Sequence, residues 1–369
     1  MKIVHVLAYY GNYYGGIQHT VNQISKRQLC LGHDVRILTS DRFCSSRVID
    51  NVPIRRLRTS FTAYRVPFMP MLFPALLKED CDVLSVFLPF PFLDICANAR
   101  KRLRPRTKLV VSIRNPLPEP KNLAGLIASH IHNKLTVRMA IESCDALVFT
   151  TKEFPLSLPY ETPKEKMFFV PNGVDTEIFY PRPDYSCDRN QILFVGRLIP
   201  EKGLDILLRA MRIVKQEFPK IKLVAVGSDY YDHREYVRLI LALGKDFLEL
   251  KSNVPSAELA RLYRDSAVFV LPSIGLESFG NVLMEAMASG CPVICTDLAG
   301  PKSLVTSGRS VPVGSIVPKG VVEELAEAIV HELNKNNKKR REKIREFAVS
   351  KASWDLVARQ LIEVYECIR

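Results

Sequence analysis

None of the nine cysteines in this 369-residue chain stands in a C-x-x-C pair, and no His/Cys cluster accompanies them. Neither a disulfide framework nor a structural zinc site is expected, and a reducing cytoplasm is the expected compartment. No apolar run reaches the ~18 uninterrupted residues of a spanning helix. The most apolar stretch, 83–99, is broken by Pro89, Pro91 and Asp94. The opening Lys2-Ile3-Val4-His5-Val6-Leu7 reads as a buried strand, and a cleavable secretory signal is not expected. There is no P-loop with Gly-Lys-Ser/Thr, and Gly11, Gly15 and Gly16 do not have G-x-G-x-x-G spacing. Neither P-loop chemistry nor a nicotinamide cofactor is therefore supported. Short-period repeats and low-complexity tracts are also missing.

Acid is scarcer than base, and unevenly so. Residues 1–180 hold 24 Lys and Arg against 15 Asp and Glu, and residues 181–369 hold 28 against 24. The net +13 suits an anionic bilayer, a phosphorylated acceptor or a nucleic acid, or simply solubility. No RNA- or DNA-binding motif accompanies the charge, so no nucleic-acid partner is expected.

What is present is an alternation of short apolar runs and helical patterns, the mark of parallel α/β layers. Strands are expected at 2–8, 34–38, 52–57, 83–88, 109–113, 146–149 and 167–170, with helices at 16–31 and 123–142. A turn-rich stretch, 171–190, carries Pro171, Asn172, Gly173, Pro181 and Pro183 and reads as a linker. The alternation then restarts, with strands at 192–195, 222–226, 247–250, 268–271 and 293–295. Helices are expected at 203–217, 256–265, 280–289 and 321–334. The fold class is thus α/β, with two doubly wound Rossmann-like lobes facing across a cleft: residues 1–170 and 191–350. A C-terminal helix at 351–369 is expected, packing back on the first lobe. The basic run 335–341 reads as a solvated helix start, with contact to lipid headgroups as the alternative.

The densest constellation lies at 271–290, Leu-Pro-Ser-Ile-Gly-Leu-Glu-Ser-Phe-Gly-Asn-Val-Leu-Met-Glu-Ala-Met-Ala-Ser-Gly. A strand ends in a Pro-Ser-Gly loop and a helix begins near Phe279. Were the whole interval helical, Glu277 and Glu285 would differ by ~80° in azimuth and ~12 Å in height, so both could face one groove. That span suits a ligand held at two distant points, such as the ribose and hexose of a sugar nucleotide. The helix start between them offers N–H groups to a diphosphate. The bland alternative makes Glu277 a cap and Glu285 a surface acid, but Met284, Ala286 and Met287 would surround Glu285 with apolar groups. A second piece, Gly196-Arg197-Leu198-Ile199-Pro200-Glu201-Lys202-Gly203, follows a strand and opens a helix, placing two cations where a leaving diphosphate could be neutralised. Asp80-Cys81-Asp82 is a D-x-D string in the first half, read as a loop before a strand.

These residues resemble the large retaining glycosyltransferase family 4, of GT-B fold. The likeness spans nearly the whole chain and is most specific at 196–203, at the E-x(7)-E pair and at Glu-Ala-Met-Ala-Ser-Gly-Cys-Pro-Val-Ile (285–294). Asn172-Gly173-Val174-Asp175, Gly15-Gly16 and Gly32-His33-Asp34-Val35 also have counterparts there. The resemblance implies a UDP- or GDP-sugar donor, no metal or other cofactor, and a glycan or lipid-linked acceptor. It gives Arg197 and Lys202 the diphosphate, Glu285 the ribose, and Glu277 the sugar. Backbone amides of Ser278, Phe279, Gly280 and Asn281 would line the sugar pocket. Lys251 would face the base, and Gly15 and Gly16 the phosphates and the acceptor.

Two departures stand out. Where many members carry a histidine after the strand at 109–113, this chain has Arg114, which can contact a sugar or phosphate oxygen but cannot shuttle protons at neutral pH. Where a glutamate is frequent, it has Ser303. A non-catalytic sugar-nucleotide-binding subunit and an epimerase of the same fold are the alternatives. The basic segments Arg55-Arg56-Leu57-Arg58, Arg65-Val66-Pro67-Phe68-Met69 and Met71-Leu72-Phe73 raise a peripheral site on an anionic inner leaflet, or else a core with solvent-facing arginines.

Overall fold

A computed structural model describes residues 1–10, 16–63, 66–88, 90, 92–114, 130, 132–158, 160–227, 233–308 and 311–368. Gly11 and Gly15, Arg65 and residues 123–129 of the expected helix lie outside that set. Two compact units emerge: Met1–Asn172 with Trp354–Arg369, and Gly173–Ser353.

The first unit is built on an eight-stranded sheet ordered β10-β9-β8-β7-β1-β2-β4-β3. Its members are β1 (Lys2–Tyr9), β2 (Asp34–Asp41), β3 (Ser45–Ile49), β4 (Val52–Arg58), β7 (Val83–Leu88), β8 (Lys108–Ile113), β9 (Ala146–Phe149) and β10 (Met167–Phe169). All neighbours are parallel except the β3–β4 pair. A separate hairpin joins β5 (Phe61–Ala63) to β6 (Val66–Phe68). Every residue of β7 is buried, as expected of a parallel strand covered on both faces.

One face carries α2 (Leu72–Lys78), α3 (Leu93–Leu103) and α4 (Val137–Ser143). The other carries α1 (Gly16–Cys30) and the last helix of the chain, Trp354–Cys367, whose Trp354, Val357, Leu361 and Tyr365 pack with Ile3, Ile24 and Val110. The Asp80-Cys81-Asp82 string is spent on structure: Asp80 pairs with Lys2, and Asp82 Oδ2 accepts the Lys2 amide at 2.8 Å.

The segments weighed for membrane contact divide between core and surface, with Arg55, Arg58 and Met71 exposed and Val66, Phe68 and Phe73 half-buried. Leu57, Met69 and Leu72 are core residues, Arg55 pairs with Glu79 at 2.8 Å and Arg56 with Asp41 at 3.4 Å. Met71 and Phe61 remain exposed. An open cavity of about 390 Å³ lies against β2 and β4, bordered by Arg36, Arg47, Arg55 and Glu79. Among the described residues no helix is long and apolar enough to cross a membrane.

The second unit holds a six-stranded parallel sheet ordered β13-β12-β11-β14-β15-β16. Its strands are β11 (Asp188–Val195), β12 (Lys222–Val226), β13 (Leu248–Lys251), β14 (Ser266–Leu271), β15 (Val293–Thr296) and β16 (Gly314–Val317). On one face lie α5 (Leu204–Glu217), α6 (Arg234–Gly244) and α10 (Val322–Lys335). On the other lie α7 (Ser256–Asp265), α8 (Asn281–Ala288) and α11 (Lys338–Ala352), with α9 (Ala299–Thr306) beside β15.

The turn-rich stretch 171–190 divides between the units and is well anchored. Val174 donates to Ala352 O at 2.7 Å, and Arg345 Nη1 donates to Phe179 O at 2.6 Å and Ala288 O at 2.7 Å. A helix does start within the basic run 335–341, but the run is solvated only in part. Asn337 caps α11 by accepting the Arg340 amide, but Arg341 is buried and donates to Ser266 O and Arg264 O at 3.0 and 2.8 Å. Arg340 reaches Glu332 at 2.6 Å. Of the run's basic residues only the lysines are exposed. Their charge is similar, but arginine's planar fork can serve several carbonyls at once.

Candidate functional site

In each parallel sheet the strand order reverses once, and ligand crevices form at the carboxyl ends flanking such a reversal. In the second unit that point lies between β11 and β14. Arg197 and Lys202 follow β11, and the loop 272–280 follows β14, so both expected motifs meet at one switch point.

Packing explains why they meet. Gly203 has φ +66°, and a Cβ there would lie 2.1 Å from the Pro272 carbonyl oxygen, so only glycine lets the two turns touch. Ile274 and Gly275 both donate backbone N–H to Glu201 O, at 2.9 and 3.1 Å. Gly300, in the first turn of α9, presses on the loop from the far side, where a Cβ would meet Glu277 O and Ser278 C, each at 2.4 Å. The loop carrying Glu277 is therefore clamped between two backbones.

Within that clamp Lys202 Nζ donates to Glu277 Oε1, and Ser273 Oγ donates to the same oxygen at 3.2 Å. Thr296 on β15 donates to Ser273 O at 2.6 Å and fixes the serine's backbone. The pair is neither sealed nor fully solvated, with side chains 18% and 17% exposed. Arg197 is exposed, and no partner for its guanidinium is found among the described residues. The site thus presents one cation fixed by an acid and one free to meet an anion.

Glu285 sits mid-way along α8, whose Leu283, Met284, Ala286 and Met287 are buried. Tyr263 of α7, itself wholly buried against Phe179 and Phe269, donates its hydroxyl to Glu285 Oε2 at 2.9 Å. Burial pushes the Glu285 carboxyl up to about 7, against the opposing pull of that hydrogen bond. Glu277 belongs to the loop, not the helix, so the two glutamates are not related by helical azimuth as the all-helix condition assumed. Ser278, Phe279 and Gly280 form the turn into α8, and Asn281 is its first residue. Lys251, the last residue of β13, is already paired with Glu249 and Glu258 at 3.1 and 3.5 Å. Sequence patterns did not point to Tyr263, Ser273, Thr296 or Gly300. Only the amphipathic helix at 256–265 gave a signal, and it does not reveal which neighbour its tyrosine meets.

In the first unit the reversal lies between β1 and β7. Gly16 opens α1 beside it, and Gly15 is outside the described residues. Arg114 follows β8, one strand away from β7. It is 6% exposed, its Nη1 donates to Asn172 Oδ1, and its guanidinium carbon lies 5.5 Å from the Phe87 ring centroid. Ser303 lies within α9. Among the described residues there is no group of three or more His, Cys, Asp or Glu placed to hold a metal.

Two family models cover most of the chain: Glycosyltransferase Family 4 over residues 14–178 and Glycosyl transferases group 1 over residues 182–350. A phosphatidyl-myo-inositol mannosyltransferase of Mycobacterium leprae is 33% identical over 204 residues, covering 54% of this chain and 53% of that protein. The match thus spans about half the length of that relative. An uncharacterized glycosyltransferase of Methanocaldococcus jannaschii is 27% identical over 376 residues, 99% of this chain and 98% of its own. Among solved structures, an Anabaena protein, HepE, in complex with UDP superposes with a TM-score of 0.77 at 16% identity over 100% of both chains. Sucrose-phosphate synthase from Thermosynechococcus elongatus gives 0.76 at 19% identity over 100% of this chain and 98% of that one. With both halves matched in order, and with two parallel α/β units of this topology, the chain belongs to the family 4, group 1 glycosyltransferases of GT-B fold.

Proposed function

We propose that the protein transfers a hexose-type sugar from a nucleoside-diphosphate donor to an acceptor hydroxyl, with retention at the anomeric carbon and without a metal. The observation that carries this reading is the clamped Lys202–Glu277 pair beside the unpartnered Arg197 at the switch point of the second unit. The donor's diphosphate would lie against Arg197 and Lys202. Glu285 would accept the ribose hydroxyls, and Glu277, freed in part from Lys202, the sugar's. The HepE structures with UDP and UDP-glucose support a uridine donor for a fold of this kind. A glycan or lipid-linked acceptor is consistent with the mannosyltransferase named for phosphatidyl-myo-inositol.

In the step itself the C1–O bond to the diphosphate breaks and its electron pair goes to the leaving phosphate oxygen. The acceptor oxygen attacks C1 on the same face, and its proton passes to that phosphate oxygen, so no side-chain base is needed. Arg114 could not act as one. What the protein contributes is fixed positive charge where negative charge develops, worth on the order of 10²–10³ in rate per donor removed.

The test is a thermal-shift screen of nucleoside diphosphates and their sugars with and without EDTA, since a ligand that binds only the folded state raises its melting temperature. UDP or GDP and their sugars should raise it equally in both conditions. No response to any of them would overturn the reading, and a response confined to the metal-containing arm would overturn metal independence. Hydrolysis of a bound donor in the absence of acceptor separates an enzyme from a binding subunit.

A further inference from the structure

Among the described residues Arg114 is a cation taken out of water without an acid to answer it. Its side chain meets one amide oxygen there, Asn172 Oδ1, and the face of Phe87, and its Nε is buried with no described partner. No carboxylate stands among the charges that act on it: the only charged-group influence is the Tyr365 hydroxyl. Burial lowers its pKa to about 10, which leaves it charged at neutral pH. A desolvated ion without a counter-ion costs several kcal/mol in typical proteins. The other buried arginines differ. Arg100 donates to Leu76 O and Glu79 O, and Arg341 to Ser266 O and Arg264 O, so each is spread over two backbone carbonyls. Arg341 also leaves its Nε unpaired, but its two Nη groups are held by carbonyls, whereas the Arg114 side chain has no backbone carbonyl partner among the described residues and lies at the carboxyl end of a parallel strand near the sheet's switch point, where ligands of this fold class bind.

We infer that Arg114 is the anchor of an anion subsite in the first unit, distinct from the diphosphate site of the second, and that the molecule receiving the sugar bears a carboxylate or phosphate there. This rests on the functional reading above. The donor's charge is answered by Arg197 and Lys202, which leaves Arg114 for a second anion. A planar guanidinium with Nε and an Nη edge available matches two oxygens of a carboxylate or phosphate in parallel. Binding there would return to the arginine the counter-ion that folding withholds. Phe87 and Asn172 act as positioning residues that hold the guanidinium plane.

The experiment uses full-length protein saturated with UDP and titrated, at fixed ionic strength, with inorganic phosphate, glucose 6-phosphate, glucuronate or glucose. The melting temperature and calorimetric affinity are read for wild type, Arg114→Lys and Arg114→Gln. UDP saturation itself is checked first, so that failure of the donor reading appears there and separately. Wild type should bind the three anions and ignore glucose, Arg114→Lys should bind them more weakly, and Arg114→Gln should lose at least tenfold in affinity while keeping its UDP response. Comparing phosphate with glucuronate decides which anion the site prefers. UDP-glucuronate against UDP-glucose, read in the same variants, decides whether the anion belongs to the donor sugar. The inference is overturned if UDP-saturated wild type binds none of the anions or if Arg114→Gln binds them undiminished. It is equally overturned if Arg114→Gln loses its UDP response, which would place the arginine on the donor. Should Arg114→Gln not fold, the wild-type titration and Arg114→Lys still decide.

Discussion

The two units share a parallel-sheet plan but treat the polar groups at their switch points in opposite ways. In the second, nearly every such group is engaged before any ligand arrives: Lys202 with Glu277, Ser273 with Glu277, Thr296 with Ser273 O, and Glu285 with Tyr263. In the first, Arg114 Nε near the switch point and Ser112 Oγ on β8 are buried with no partner among the described residues, as is His5 Nδ1 within β1. A network that is already satisfied fixes its geometry and suits one recurrent ligand. A set of unsatisfied groups is costly until water or substrate completes it. On the proposed function, the second unit is the one preorganised for the donor, and the first awaits the acceptor.

The sharpest way to break this comparison is to remove the engaged cation. Lys202→Ala should lower turnover by about 10² or more, and Glu277→Gln by a similar factor, with the fold intact by circular dichroism. Arg197→Ala should act in the same direction. If all three kept near-wild-type kcat/KM, the switch point of the second unit would not be the reacting site.

The next effect tests preorganisation itself, without touching a charged group. Gly300→Ala forces a methyl against the carbonyl of Glu277 and the backbone of Ser278. Overpacking of this kind costs about 1–3 kcal/mol, and the displaced loop should weaken donor binding by roughly tenfold, since small misplacements of positioned groups are expensive. Calorimetric titration with UDP checks the affinity. A variant with a lower melting temperature but unchanged UDP affinity would mean that the clamp serves the fold alone.

How much of this was legible beforehand follows from the kind of signal involved. The strands at 83–88, 222–226 and 266–271 announce themselves as predominantly apolar runs, because parallel strands are covered on both faces. Short or polar elements did so less: β16 is four residues of an edge strand, and of α11 only the helix start within 335–341 was expected. At the site, the motifs located Arg197, Lys202, Glu277 and Glu285 by their place after strands. They could not disclose the clamp, since Gly300 and Thr296 approach from distant sequence and their contacts exist only once β15 is seated beside β14. The helical spacing imagined for the two glutamates failed because Pro272 and the tight packing on Gly203 hold 272–280 as a loop.

A smaller effect concerns donor affinity and pH. With its folded pKa raised to about 7, Glu285 is largely protonated at pH 6 and ionised at pH 8. An ionised carboxylate accepts hydroxyl hydrogen bonds more strongly, so UDP affinity should rise several-fold across that interval. Glu285→Gln should bind more weakly and lose most of the slope. An unchanged slope in that variant would assign the titration elsewhere.

The last effect is on stability, and it should have opposite signs in the two units. Glu285 has a raised folded pKa, so the unfolded chain releases its proton first. Its contribution therefore falls as pH rises from about 4.5 to about 7, moderated by the partial exposure of the residue. His5 runs the other way. It is fully buried on β1, its Nε2 lies 2.8 Å from Gln28 Oε1, and its Nδ1 has no partner to receive a second proton. Burial lowers its pKa to about 4 from 6.5. Between those values the unfolded chain takes up a proton that the folded one refuses, so stability falls as pH drops from 6.5 towards 4 and is lost no further below that. The full interval corresponds to about 3 kcal/mol at 1.36 kcal/mol per unit. Hydrogen exchange resolves the two: amides of β1 should lose protection between pH 7 and pH 4.5 once the intrinsic exchange rate is corrected for, while those of α8 should not. His5→Asn, which does not titrate, should flatten the β1 profile even if it lowers protection at pH 7. Parallel losses in both units, or a β1 profile unaltered by the substitution, would remove the histidine as the cause.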